Sequence, residues 1–121
     1  MTQTVKKHND LEERTAKFGE TVISFCLSLP SNYVTQSITG QLIRSGTSVG
    51  ANYMEANAAS SRKDFRNKIF ICKKEAQETK HWLRMCATAW PDKKTEIQKI
   101  WKEAQELTLI FQKITSTLDK K

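Results

Sequence analysis

The chain has 121 residues, with 20 Lys or Arg against 13 Asp or Glu, for a formal net charge of +7. That length supports one core and no second domain, so 1–121 reads as a single domain. Four glycines and two prolines are too few for the many turns of a sandwich or barrel. The positive balance excludes an acidic solvating tail and keeps nucleic acid open as a partner.

The first fifteen residues carry no apolar run, so neither a signal peptide nor an anchor is expected at this end. The longest apolar-rich run, Val22 to Leu29, is far short of the roughly 20 residues that span a bilayer. A cytoplasmic protein is the expectation. Cys26, Cys72 and Cys86 lack metal-like spacing and read as free thiols in a reducing compartment.

Apolar residues recur at helical spacing in four segments. The first helix is expected over 10–29, with Leu11, Thr15, Phe18, Val22, Phe25 and Leu29 on one stripe and Pro30 ending it. The second is expected over 32–56, capped by Ser31 or Asn32. Its stripe is Val34, Ile38, Leu42, Ser45, Val49, Tyr53 and Ala56. Ser61 and Asp64 fit a capping box for the third, over 61–89. Phe65, Ile69, Cys72, Ala76, Thr79, Leu83 and Cys86 line its inner face. Trp90-Pro91-Asp92 reads as a turn, with Asp92 capping a fourth helix over 92–118. There Ile97, Ile100, Ala104, Leu107, Phe111, Ile114 and Leu118 point inward. Four helices joined by short loops predict an all-α, antiparallel up-down-up-down four-helix bundle.

Gly40, Ser45, Gly46, Ser48, Gly50 and Ala51 make the second helix unusually small-sided. Close helix packing explains them. A phosphate loop does not, because no Lys-Ser/Thr follows and no strand precedes.

Arg44-Ser45-Gly46-Thr47-Ser48-Val49-Gly50-Ala51-Asn52, then Glu55-Ala56, resembles the signature of a bacterial four-helix-bundle family. So do Ser61-Arg62-Lys63-Asp64-Phe65, Lys74-Glu75-Ala76, Glu78-Thr79 and Trp82-Leu83. The family is named after the intervening sequence of the large-subunit ribosomal RNA gene and is also labelled a ribosomal-protein family. The match covers Arg44 to Leu83, and Gln77 stands where the family pattern has asparagine. The resemblance implies a bundle that assembles as a ring-like homopentamer. More distantly, the chain resembles the basic pentameric accessory proteins of diversity-generating retroelements, which bind nucleic acid and a reverse transcriptase.

No catalytic, cofactor or metal site is expected. Glu78 and His81 form one Glu-x-x-His, half of a di-iron motif, but the only other histidine, His8, has Val5 three residues before it. Cys72 and Cys86 share the inner stripe and lack a buried base, so they read as packing.

Two polar constellations remain. Arg44, Ser48, Asn52 and Glu55 share one side of the second helix. A hairpin turning near Ala58 to Ser60 brings Arg44 level with Glu75 and Glu78. An ion network in the fold or at an interface is the plain reading, and a ligand or catalytic site using Arg44 and the two glutamates the sharper one. Between Arg62 and Arg84 eight basic residues face three acidic ones. Arg62, Arg66, Lys73, Lys80 and Arg84 are the candidate nucleic-acid contacts, with Lys63 and Lys74 nearby. A solvated helix face is the alternative, and no RNA-binding fingerprint accompanies the ridge. The aromatic residues give no clear stacking platform, so no strong preference for single strands is expected.

The reading is a non-enzymatic homo-oligomer that binds RNA or DNA through this ridge. The alternative is an oligomeric scaffold for a protein partner. Surplus apolar residues on the third helix, Phe70, Ile71, Trp82 and Met85, are consistent with an interface.

Overall fold

The computed structural model describes residues 3–120, with side chains from Asp10 onward. It contains α1 (Gln3–Ser28), α2 (Gln36–Asn57), α3 (Arg62–Ala89) and α4 (Lys94–Asp119), with a 3-10 turn at Pro91–Lys93 ahead of α4. No strand occurs among the described residues. Helices adjacent in sequence pack together, α1 on α2, α2 on α3 and α3 on α4, while α1 and α4 meet along a sparser seam. The fold is an all-α up-down bundle, because the short connections leave each helix no choice but to run back along its predecessor.

The helix starts differ from the sequence expectation, each for a local reason. α1 begins at Gln3 rather than near 10. The early segment has no glycine or proline and carries good helix formers, so the helix outruns its apolar stripe. α2 begins at Gln36 rather than 32. Asn32 does cap, but it closes a turn ahead of the helix: its Oδ1 accepts from the N–H groups of Val34 at 2.9 Å and Thr35 at 3.0 Å. That turn leaves Val34, expected in the core, 75% exposed, and Thr35 is buried instead.

At α3 the Ser61 hydroxyl accepts from the Asp64 N–H at 3.0 Å, the forward arm of the capping box. Asp92 does not cap α4. Pro91 starts the 3-10 turn, Lys93 N–H bonds the Trp90 carbonyl at 3.0 Å, and no side chain caps α4. Trp90, in the turn the sequence marks, is buried and packs in the core.

The four stripes meet in one core that includes Phe18, Val22, Phe25, Leu42, Val49, Ile69, Leu83, Leu107 and Phe111. Each such side chain contributes about 1.5–3 kcal/mol when fully buried. Leu11, Ile38, Phe65, Ile114 and Leu118 lie at its half-buried margin. Of the small residues of α2, Gly46 and Gly50 face α1, against Val22 and the Thr15 backbone, and let the two helices come close. The sparse α1–α4 seam is clasped by Arg14, which donates through Nε and Nη2 to both Glu103 oxygens at 2.7 and 2.8 Å, and through Nη2 to Glu106 at 2.8 Å. No helix among the described residues is long and apolar enough to cross a membrane.

Candidate functional site

Arg62, Arg66, Lys73 and Lys80 of α3 face α4 across a regular seam. Arg66 donates to both carboxylate oxygens of Asp119, at 2.6 and 3.0 Å. Lys73 donates to Gln112 Oε1 at 2.7 Å, and Lys80 donates to Gln105 Oε1. Residues seven apart on α3 thus meet residues seven apart on antiparallel α4, because a heptad step returns to nearly the same helix face. Arg62 adds a bond to the Leu118 carbonyl at 2.7 Å, where the end of α4 presents unpaired carbonyls and favours a cation. Arg84 continues the row, exposed and without an ion-pair partner among the described residues.

These partners divide the row electrostatically. Arg66 meets a full negative charge, and its guanidinium holds the Asp119 carboxyl below the usual carboxylate range. Lys73 and Lys80 meet neutral amides, so their charges remain uncancelled. Lys63 and Lys74 are exposed on the same helix, and neither has an ion-pair partner within the described residues. Lys68 is tied to Glu55 across the α2–α3 turn at 2.7 Å.

Two aromatic rings flank the lysines. The Lys73 ammonium lies 5.1 Å from the centre of the Phe70 ring, and the Lys80 ammonium 5.1 Å from that of Trp101. Both rings are substantially exposed. Trp101 is absent from the sequence reading because its cationic neighbour sits on another helix.

The polar side of α2 separates into parts. Arg44 Nη1 donates to Glu75 Oε1 at 3.2 Å, and Nη2 donates to Glu78 Oε2. The Glu78 carboxyl lies below its ordinary range, first because the Trp82 indole N–H donates to it and then because Arg44 does, with burial opposing. Ser48 instead bonds the Arg44 carbonyl at 2.6 Å and Asn52 the Ser48 carbonyl at 2.8 Å, back-bonds within the helix. Glu55 belongs to Lys68. Of these six residues, Arg44, Glu75 and Glu78 form one ion cluster, Glu55 pairs with Lys68, and Ser48 and Asn52 bond only within α2.

Beneath Arg44, two hydroxyls sit fully buried: Thr79 Oγ1 lies 3.0 Å from Ser45 Oγ and also 2.7 Å from the Glu75 carbonyl. His81 is exposed with its ring edge-on to Trp82, 4.9 Å between centres, and the side chain of His8 lies outside those described. Among the described residues no group of His, Cys, Asp and Glu is arranged to hold a metal ion. Burial pushes the Cys26 thiol up to about 11 and those of Cys72 and Cys86 up to about 12. They are protonated near neutrality and poor nucleophiles.

Residues 7–113 match a family model described as 23S rRNA-intervening sequence protein. A crystal structure of a protein with unknown function from the S23 ribosomal protein family, from Bacteroides thetaiotaomicron, is similar with a TM-score of 0.75 and 27% identity. The similarity covers 87% of this chain and 97% of that one. No curated protein matches.

Proposed function

The chain belongs to the 23S rRNA-intervening sequence protein family, and from that footing we propose that it is a non-enzymatic, oligomeric bundle that binds RNA or DNA along the α3–α4 face. The observation that carries this reading is the uncancelled charge of Lys73 and Lys80. Both reach neutral amides on one face, with Arg84, Lys63 and Lys74 adding charge on the same helix. Phosphate neutralisation with counterion release is what such a surface does. The family resemblance supports a homopentamer, which would repeat the face around a ring and raise avidity without better single contacts. A cytoplasmic location fits three free thiols.

The test is a mobility-shift titration of labelled RNA and DNA over a range of salt, beside light scattering of the protein. Binding at low salt that weakens steeply as salt rises supports the reading. A complete lack of binding at low salt overturns it, and a 14 kDa monomer overturns the assembly.

A second reading, a scaffold for a protein partner, has its own support on the opposite side. A groove of about 590 Å³ between α1 and α2 is floored by small residues and flanked by exposed Ile23 and Met54. Glu12, Glu13 and Glu20 line it as well. An apolar floor under acidic side chains suits a basic amphipathic segment.

A further inference from the structure

We propose that Phe70 and Trp101 are stacking platforms for unpaired bases, so that the ligand of the α3–α4 face is single-stranded nucleic acid. This rests on the nucleic-acid reading above and narrows it. The face holds the same local unit twice, an exposed ring with a lysine ammonium 5.1 Å from its centre: Lys73 with Phe70, and Lys80 with Trp101. Phe70 is 47% and Trp101 40% exposed, each with a lysine ammonium over the ring, and a base that covers the exposed part removes apolar surface from solvent whatever its identity.

Each lysine ammonium lies over its ring, 5.1 Å from the centre, and would turn aside to meet the phosphate of a nucleotide stacked there. Its present acceptors are the amides of Gln112 and Gln105. A neutral amide holds an ammonium less strongly than a carboxylate does, so either lysine can turn to a phosphate at small cost. That move releases the two amide carbonyls, while the Gln112 NH2 stays bonded to Ser116 Oγ at 3.0 Å. Arg66 cannot turn as readily, because Asp119 holds it at two points.

The antiparallel register, fixed by Lys73 with Gln112 and Lys80 with Gln105, sets Trp101 level with Arg84. That is fourteen residues along α3 from Phe70, or about 21 Å at the helical rise. A flexible strand spans that distance with a base turned onto each ring. A duplex keeps its bases stacked and paired, and offers the same face only phosphates. Stacking and phosphate contact are common to RNA and DNA, so strands of both kinds are expected to bind.

The experiment compares oligouridylate, oligothymidylate and a duplex of equal phosphate count at one salt concentration. The full chain is used, with Phe70→Ala, Trp101→Ala and Trp101→Phe variants checked for an unchanged helical spectrum. Both single strands should bind at least about tenfold tighter than the duplex. Each alanine variant should weaken single-strand binding by about fivefold to a hundredfold and leave duplex binding unchanged, with Trp101→Phe retaining most of the affinity. In the native protein, oligouridylate should also quench tryptophan emission, and Trp101→Phe should lose most of that quenching. Equal affinity for strand and duplex, insensitive to both alanine changes, overturns this inference and leaves phosphate binding standing. No binding to any of the three overturns the nucleic-acid reading itself.

Discussion

Gly46 of α2 lies against Val22 of α1 so closely that a methyl group built on the glycine would sit 2.9 Å from Val22 Cγ2 and 3.0 Å from Cγ1. Val22 is fully buried and stiff about its first torsion, so it has nowhere to move. Gly40, on the same helix, has nothing within 4 Å of the equivalent point. Gly46→Ala should therefore destabilise the fold by overpacking. The overpacking costs about 1–3 kcal/mol, partly offset by the better helix propensity of alanine. Gly40→Ala gains that propensity alone and should stabilise by about 0.8–1 kcal/mol. Urea melts of the two variants should move in opposite directions.

This pair shows how far the sequence could be read. The four apolar stripes were plain because each bundle helix buries one side, and Val22, Val49, Leu83 and Leu107 fall where the 3.6-residue period puts them. Val34 was misplaced because the Asn32 side chain competes for the backbone and shifts the helix start, which periodicity does not register. The meeting of Arg44 with Glu75 follows from a short α2–α3 turn whose register can be counted. The meeting of Lys80 with Trp101 does not, because a proline-led 3-10 turn sets the register of α4 and its geometry is not written in spacing. The Arg14 clasp to Glu103 joins residues from opposite ends of the chain and leaves no local signal.

The Arg44 cluster predicts an acid-sensitive increment of stability. Glu78 is held below its ordinary range in the folded chain by Trp82 and Arg44. A lowered folded value means that the ionised carboxylate is the stabilising form. Its contribution is complete above the unfolded value of about 4.3 and fades as pH falls through the lower folded value. Thermal melts of native protein and Glu78→Gln should differ at pH 6 and draw together as pH falls below the lowered folded value. The site is part-exposed, so the difference should stay under about 1 kcal/mol. Arg44→Ala should cost more at pH 6, about 1–3 kcal/mol, because it leaves buried Glu75 without its cation.

The thiols predict graded reactivity. Cys26 is half-buried, while Cys72 and Cys86 are fully buried, and burial raises all three well above a free thiol. Alkylation at pH 8 followed by mass spectrometry should label Cys26 first and slowly. Cys72 and Cys86 should be labelled only as fast as the bundle opens. Rapid labelling of Cys86 in the folded protein would contradict the packing of α3 against the core.

The α3–α4 seam makes the last prediction, which separates cations that are free to act from those already matched. Counterion release counts phosphates neutralised, so the slope of affinity against salt reports how many side chains engage the ligand. Lys73 and Lys80 have no carboxylate partner among the described residues, and replacing both with glutamine removes two positive charges while keeping a donor on each side chain. The salt slope should flatten by about one for each lysine lost. Arg66 is matched by Asp119, so the double change Arg66→Gln with Asp119→Asn removes no net charge and breaks one surface pair. An exposed pair is worth little to folding, under about 1 kcal/mol. The double variant should keep both its melting temperature and its salt slope. If it flattens the slope as much as the lysine pair does, the ion pair opens to take phosphate, and the whole heptad row is the contact surface rather than its two amide-bound members.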